Sequence, residues 1–162
     1  MTQALSWDGH DGGLDGLQLF YISSRAYNFP PYTLHTSLPV GGRRWNSYGG
    51  RSVALDNIAS AEAAQAKAQE VLERFVTTLE DGVIDWRSEG NLLRPAVGVV
   101  GGMNLFRIYR LPERTLLRSR LPLAPGGVAQ GDLASVREAK VKAEQMLDQF
   151  ADLVGIDFSN NI

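Results

Sequence analysis

Cysteine is absent from this 162-residue chain, and histidine occurs only as His10 and His35. Without cysteine there is no disulfide, thiolate zinc site, iron–sulfur cluster or thiol nucleophile, and two imidazoles leave little for histidine ligation. Lysine is scarce too, with three lysines against thirteen arginines. No stretch approaches the roughly 18 consecutive apolar residues of a membrane span, and residues 1–11 lack the basic start and apolar middle of a signal peptide. These absences predict a soluble, cytoplasmic protein that contacts no membrane. No Gly-x-Ser-x-Gly elbow surrounds a serine, and no phosphate loop or dinucleotide fingerprint occurs, since residues 98–102 are not followed by a helical pattern. Asp8-Gly9-His10-Asp11 gathers two carboxylates and an imidazole, but the spacing fits no standard metal site and the glycines read as a loose loop. The expectation is a protein that is not an enzyme, with no catalytic residue, no metal and no cofactor.

What is present is repetition. Ala59, Ser60, Ala64, Lys67, Ala68, Leu72 and Phe75 recur 75 positions later as Ala134, Ser135, Ala139, Lys142, Ala143, Leu147 and Phe150. Upstream, Leu19-Phe20-Tyr21-Ile22 matches Leu105-Phe106-Arg107-Ile108, and residues 34–39 match 117–122, in the same order with changed offsets. Loop insertions between two copies of one unit account for the changes. In both copies the apolar residues of the repeated segment step by three or four, predicting amphipathic helices over 58–79 and 133–154. Ser60 and Ser135 sit at N-cap positions, Ser135 with Glu138 fits a capping box, and Gly82 and Gly155 stand where a left-handed residue closes a helix.

Ahead of each helix the period becomes two. Residues 32–40 and 115–123 alternate apolar and polar, 17–24 and 104–111 are rich in aromatic and branched residues, and glycine pairs punctuate them as turns. Three strands per copy are predicted, with a fourth candidate at 51–56 and 96–100. The fold class is therefore α+β: a tandem duplicated unit of antiparallel β-meander and one amphipathic helix, pseudo-two-fold, with the helices on one sheet face. The organisation reads as an N-terminal segment 1–16, a first repeat 17–80, a link 81–95, a second repeat 96–155 and a tail 156–162. Trp7 and Trp86 are expected to pack at the seams where the units begin. This architecture resembles the single-strand-binding class that includes the Whirly proteins. The resemblance is one of topology and implies single-strand binding, but no counterpart of the Whirly Lys-rich strand motif is present, so it brings no site residues with it.

Charge is laid out unevenly. Residues 20–51 hold four arginines and no acid, and residues 104–122 hold five arginines against Glu113, while the whole chain carries a formal net charge of -2. The acids collect in the helices, the link and the termini, so the molecule should be two-faced. Guanidinium groups interleaved with Tyr21, Tyr27, Tyr32, Trp45, Tyr48 and Tyr109 suit phosphate forks and base stacking, and they equally suit protein hot spots. If Leu117 and Leu121 face the helix, Arg118 and Arg120 face away, and Arg107 and Tyr109 of the neighbouring strand join them. His35 falls on the same kind of outward face. The candidate binding residues are Arg107, Tyr109, Arg118, Arg120, Arg25, Arg43, Arg44, Tyr21 and His35. They predict a non-catalytic binding protein with single-stranded nucleic acid as the first ligand. The alternative is a protein-binding adaptor or inhibitor, of the kind found as mobile-element accessory proteins, docking on a larger machine.

Overall fold

The computed structural model describes residues 2–27, 29–39, 52–79, 81–88, 94–122 and 129–158. In chain order the elements are β1 (Ser6–Asp8), β2 (Asp11–Leu14), β3 (Leu17–Ser24), β4 (Tyr32–Thr36), β5 (Ser52–Ile58) and α1 (Ala61–Thr78), then β6 (Asp85–Arg87), β7 (Ala96–Val100), β8 (Met103–Arg110), β9 (Thr115–Ser119), β10 (Ala129–Leu133) and α2 (Val136–Val154). The first five strands form one antiparallel sheet and the second five another, each in simple sequential order. The chain is α+β. Among the described residues no helix is long and apolar enough to cross a membrane.

Each sheet has more strands than the three or four expected. Residues 6–14, read as a loose segment, supply β1 and β2, and residues 85–87, read as link, supply β6. Elements of three or four residues carry no periodicity, and pairing with a neighbour decides their conformation instead. The hairpins obey turn chemistry. Asp15-Gly16 and Gly101-Gly102 join β2 to β3 and β7 to β8 with positive φ at both residues, the two-residue turn whose twist suits adjacent strands.

The helices form as their sequences dictate. The Ser60 hydroxyl accepts from the Ala63 N–H and the Ser135 hydroxyl from the Glu138 N–H, each at 3.1 Å. Glu138 completes its cap through the Ala134 N–H, at 2.8 Å, one residue ahead of the position a capping box uses. Gly155 closes α2 at φ 83. Gly82 does not close α1, because Leu79 is the cap in right-handed conformation and Gly82 follows it by donating to the Leu79 carbonyl. Ala64, Ala68, Leu72 and Phe75 of α1 are buried against the first sheet, and Ala139, Ala143, Leu147 and Phe150 of α2 against the second. Phe75 and Phe150 meet edge to face at 5.7 Å, so a single apolar core runs through both helices and both sheets.

One irregularity is repeated at matching places. In β3 the partner of Gly12 is Phe20 and that of Gly13 is Gln18, leaving Leu19 as an extra residue; in β8 the partner of Gly98 is Phe106 and that of Val99 is Asn104, leaving Leu105. A bulge of this kind turns two consecutive side chains to one side. Leu19 with Phe20 and Leu105 with Phe106 are accordingly all buried, at 1% exposure or less. Each bulge faces a tryptophan. Trp7 lies over Gly12 and Trp86 over Gly98, so close that a Cβ on either glycine would stand 2.6 Å or 2.9 Å from the indole. Both rings therefore pack where each sheet begins, Trp86 reaching Phe106 at 6.3 Å beneath the Lys140 ammonium.

Two consequences are measurable in denaturant titrations. Leu72→Ala or Leu147→Ala should lower stability by about 2–5 kcal/mol, since each side chain is fully buried in the shared core. Gly98→Ala should cost about 1–3 kcal/mol by overpacking against Trp86, with a matching change in tryptophan emission.

Candidate functional site

Because strand alternation is re-phased at the bulges, everything beyond them points predictably in or out. On the second sheet Phe106 pairs with Ser119 and Ile108 with Leu117, all buried toward α2, while Arg107 pairs with Arg118 and Tyr109 with Leu116 on the opposite face. The four expected residues come together there. The Arg118 guanidinium lies 5.6 Å over the Tyr109 ring, a cation–π geometry. The backbone N–H of Arg120 donates to the Leu105 carbonyl at 2.9 Å, and its guanidinium donates to the Asn104 carbonyl at 3.3 Å. All four side chains are half-buried rather than fully solvated. Burial, and after it the charge of Arg107, lower the pKa of Arg120 below the usual arginine value, which places the two cations in each other's field. The guanidinium stays charged in any ordinary buffer.

Registration extends this cluster into a row. Arg87 pairs with Val97, Val97 with Arg107, and Arg107 with Arg118, so one line across β6, β7, β8 and β9 carries three arginines. Arg87 was hidden to sequence reading in a three-residue strand. It is well exposed at the sheet edge, 3.5 Å from Asp85.

The corresponding row of the first sheet has a different chemistry. Asp8 pairs with Asp11, Asp11 with Tyr21, Tyr21 with His35 and His35 with Val53. Asp8 and Asp11 are exposed, and Asp11 accepts a hydrogen bond from the Gln18 side chain. His35 Nε2 is 2.8 Å from the Ser23 hydroxyl, and its ring tilts against Tyr21 at 5.8 Å. Thr33 donates to Asp56 at 2.6 Å. That bond first, and the Asn57 backbone N–H second, hold the Asp56 carboxyl below its ordinary pKa; the charges of Arg25 and His35 act in the same direction, against a partial opposing effect of burial. Tyr21 and His35 thus share a face with acids, and Arg25 is the nearby arginine among the described residues. Arg43 and Arg44 lie outside the described residues, as do Trp45 and Tyr48.

A further feature was legible only in part, since Tyr27 was among the aromatics expected on the surface and Phe29 was not. The loop from 25 to 31, closed by the Arg25 N–H on the Pro31 carbonyl, is longer than its counterpart, closed by Leu111 on Arg114. It holds Tyr27 and Phe29 at 100% and 98% exposure. Both are aromatic residues that ordinarily seek burial, and composition alone gives no sign that they are excluded from the core. Among the described residues no three His, Asp or Glu side chains gather to hold a metal ion.

Comparison with protein families, with curated proteins and with solved structures found no match to this chain.

The Asp56 hydrogen bonds have a pH signature. A carboxyl whose folded pKa is depressed adds stability above its unfolded pKa, and that contribution disappears as pH falls through the folded value. Thr33→Val should raise the Asp56 pKa toward the ordinary carboxylate value, read from the carboxyl chemical shift in an NMR titration, and should shrink the acid-side loss of stability.

Proposed function

We propose that this chain is a non-catalytic binding protein whose second-sheet outer face takes single-stranded nucleic acid. The observation that carries the reading is the cross-strand pair Arg107–Arg118, flanked by Arg87, Arg120 and Tyr109. Arginines gathered along one row of an open sheet face set up a positive potential that draws in a polyanion. Arginine forks suit phosphate oxygens, and the ring of Tyr109 offers a face on which a splayed base can stack. A flexible single strand fits an open sheet better than a rigid duplex does. The same reading supposes that the protein works in solution in the cytoplasm.

We further propose that the chain arose by duplication of one meander-and-helix unit. The support lies in equivalent residues making equivalent structure: the bulges at Leu19 and Leu105, the Trp–Gly stacks, and the serine caps. Phe75 and Phe150 occupy matching positions and touch each other, as residues on a two-fold axis do. On this reading Tyr21 and His35 answer to Arg107 and Arg118, and the two outer faces diverged.

A second reading, a protein-binding adaptor or inhibitor, is favoured by the Tyr27 and Phe29 tip. Exposed aromatics on a closed loop are the residue types that anchor protein interfaces.

Fluorescence anisotropy with a labelled oligo-dT distinguishes these. Binding should weaken steeply with salt, and Arg107→Gln with Arg118→Gln should cost tenfold or more and reduce the log–log salt slope by about 1.4, roughly 0.7 for each single-strand phosphate that the variant no longer neutralises. Unchanged affinity in a folded double variant overturns the nucleic-acid reading.

A further inference from the structure

The line of cross-strand pairs from Arg87 through Val97 and Arg107 to Arg118 runs at right angles to the strands of the second sheet. With neighbouring strands roughly 4.8 Å apart, its three steps from β6 to β9 span about 14 Å. Trp86 packs inward against the buried Phe106, so alternation turns Asp85 and Arg87 to the outer face. The next outward positions on β8 and β9 form a second line, Tyr109 opposite Leu116, and the Arg118 guanidinium over the Tyr109 ring joins the two. Cations in one line and aromatic or apolar groups in the line beside it match the two sides of a nucleotide strand, phosphates and bases. Along the strands the cations do not continue. Arg118 is followed outward by Leu116 and Arg107 by Tyr109, while Arg110 pairs with the buried Thr115 and is out of phase with the outer face. Across the strands they reach Arg87, whose contact with Asp85 is an exposed surface pair that separates at little cost.

We infer that a single strand of nucleic acid crosses the second sheet at right angles to its β-strands, with phosphates along the line from Arg118 to Arg87 and bases toward Tyr109 and Leu116. Arg87 is then the far contact of the site. The inference rests on the reading that this face takes single-stranded nucleic acid, and adds a direction and a length. Stacked nucleotides advance about 3.4 Å each along a strand, so the line takes about four of them. A thymidine dinucleotide, with one phosphate between its nucleosides, is too short to bridge Arg118 and Arg87. An octamer reaches both. Asp85 competes with the phosphate for Arg87, so removing its charge strengthens the far contact.

Two lengths of oligo-dT provide the test, the octamer followed by fluorescence anisotropy and the unlabelled dinucleotide by amide chemical shifts. Arg87→Gln, a change at a well-exposed position, should weaken octamer binding threefold or more and lower the log–log salt slope by about 0.7, the value for one single-strand phosphate. Dinucleotide binding should not change. Asp85→Asn should tighten the octamer and leave the dinucleotide as it was. Arg74→Gln on α1 removes the same charge from another exposed pair and should leave octamer affinity within twofold of the wild type. Octamer binding that Arg87→Gln leaves unaltered, or that Arg87→Gln and Arg74→Gln weaken equally, overturns the crosswise path while the nucleic-acid reading stands. An Arg87→Gln loss as large for the dinucleotide as for the octamer does the same. Should the dinucleotide bind too weakly to follow, the contrast of Arg87→Gln with Arg74→Gln on the octamer decides. A wild-type chain that binds neither oligonucleotide removes the nucleic-acid reading and the path with it.

Discussion

An extra residue in the third strand of each sheet sets the phase of everything downstream. Were Leu19 paired in strict alternation instead of bulged, Phe20 and Tyr21 would fall on faces opposite to those they occupy, and the same holds for Phe106 and Arg107 around Leu105. The bulge brings two large side chains inward together, where α1 and α2 need apolar surface to cover their alanine stripes. It also delivers the next residue outward, as Tyr21 in one sheet and Arg107 in the other. The composition of the core and that of the outer face are thus two results of one bulge. The tryptophans stacked over Gly12 and Gly98 brace the partner strand just where the pairing shifts.

Legibility in the sequence followed the length of the elements. The helices, with four apolar turns and a serine at the start, could be placed closely, and β3 and β7 coincide with their expected bounds. β1, β2 and β6 could not, because Ser-Trp-Asp, Asp-Gly-Gly-Leu and Asp-Trp-Arg are too short for a period and adopt extended structure through pairing. For the same reason Arg87, Asp8 and Asp11 were left out of the candidate face: their place in a row is a property of registration, which no local pattern carries. The Arg107, Tyr109, Arg118 and Arg120 cluster was legible because long alternating strands fix inward and outward positions. Their half-burial was not, since packing around an aromatic ring and carbonyl acceptors depends on neighbours distant in sequence.

The two halves are joined by more than the peptide link. Gln3 donates to the carbonyl of Val154, and the Gln69 side chain holds both the Gln3 carbonyl and the Leu5 N–H, threading the first residues along α1 to the end of α2. The Gly101 turn of the second sheet sits against the Thr78 carbonyl at the end of α1, a position where no side chain fits. The Thr78 hydroxyl reaches the Met103 sulfur at 3.6 Å. These contacts cross between the halves beside the apolar core that both share.

On the proposal that the two halves arose by duplication, the meeting of Phe75 with Phe150 carries a historical consequence. A surface on which a residue touches its own counterpart is self-complementary, so a free-standing ancestor of one half would have paired with an identical partner through its helix. Fusing the two genes into one reading frame would have turned an association that depends on concentration into a permanent one. Only then could the outer sheets differ, because in a pair of identical chains any arginine gained on one face appears on both. A difference such as Tyr21 and His35 on one sheet against Arg107 and Arg118 on the other is something a homodimer is unable to encode, and a fused chain is free to acquire it.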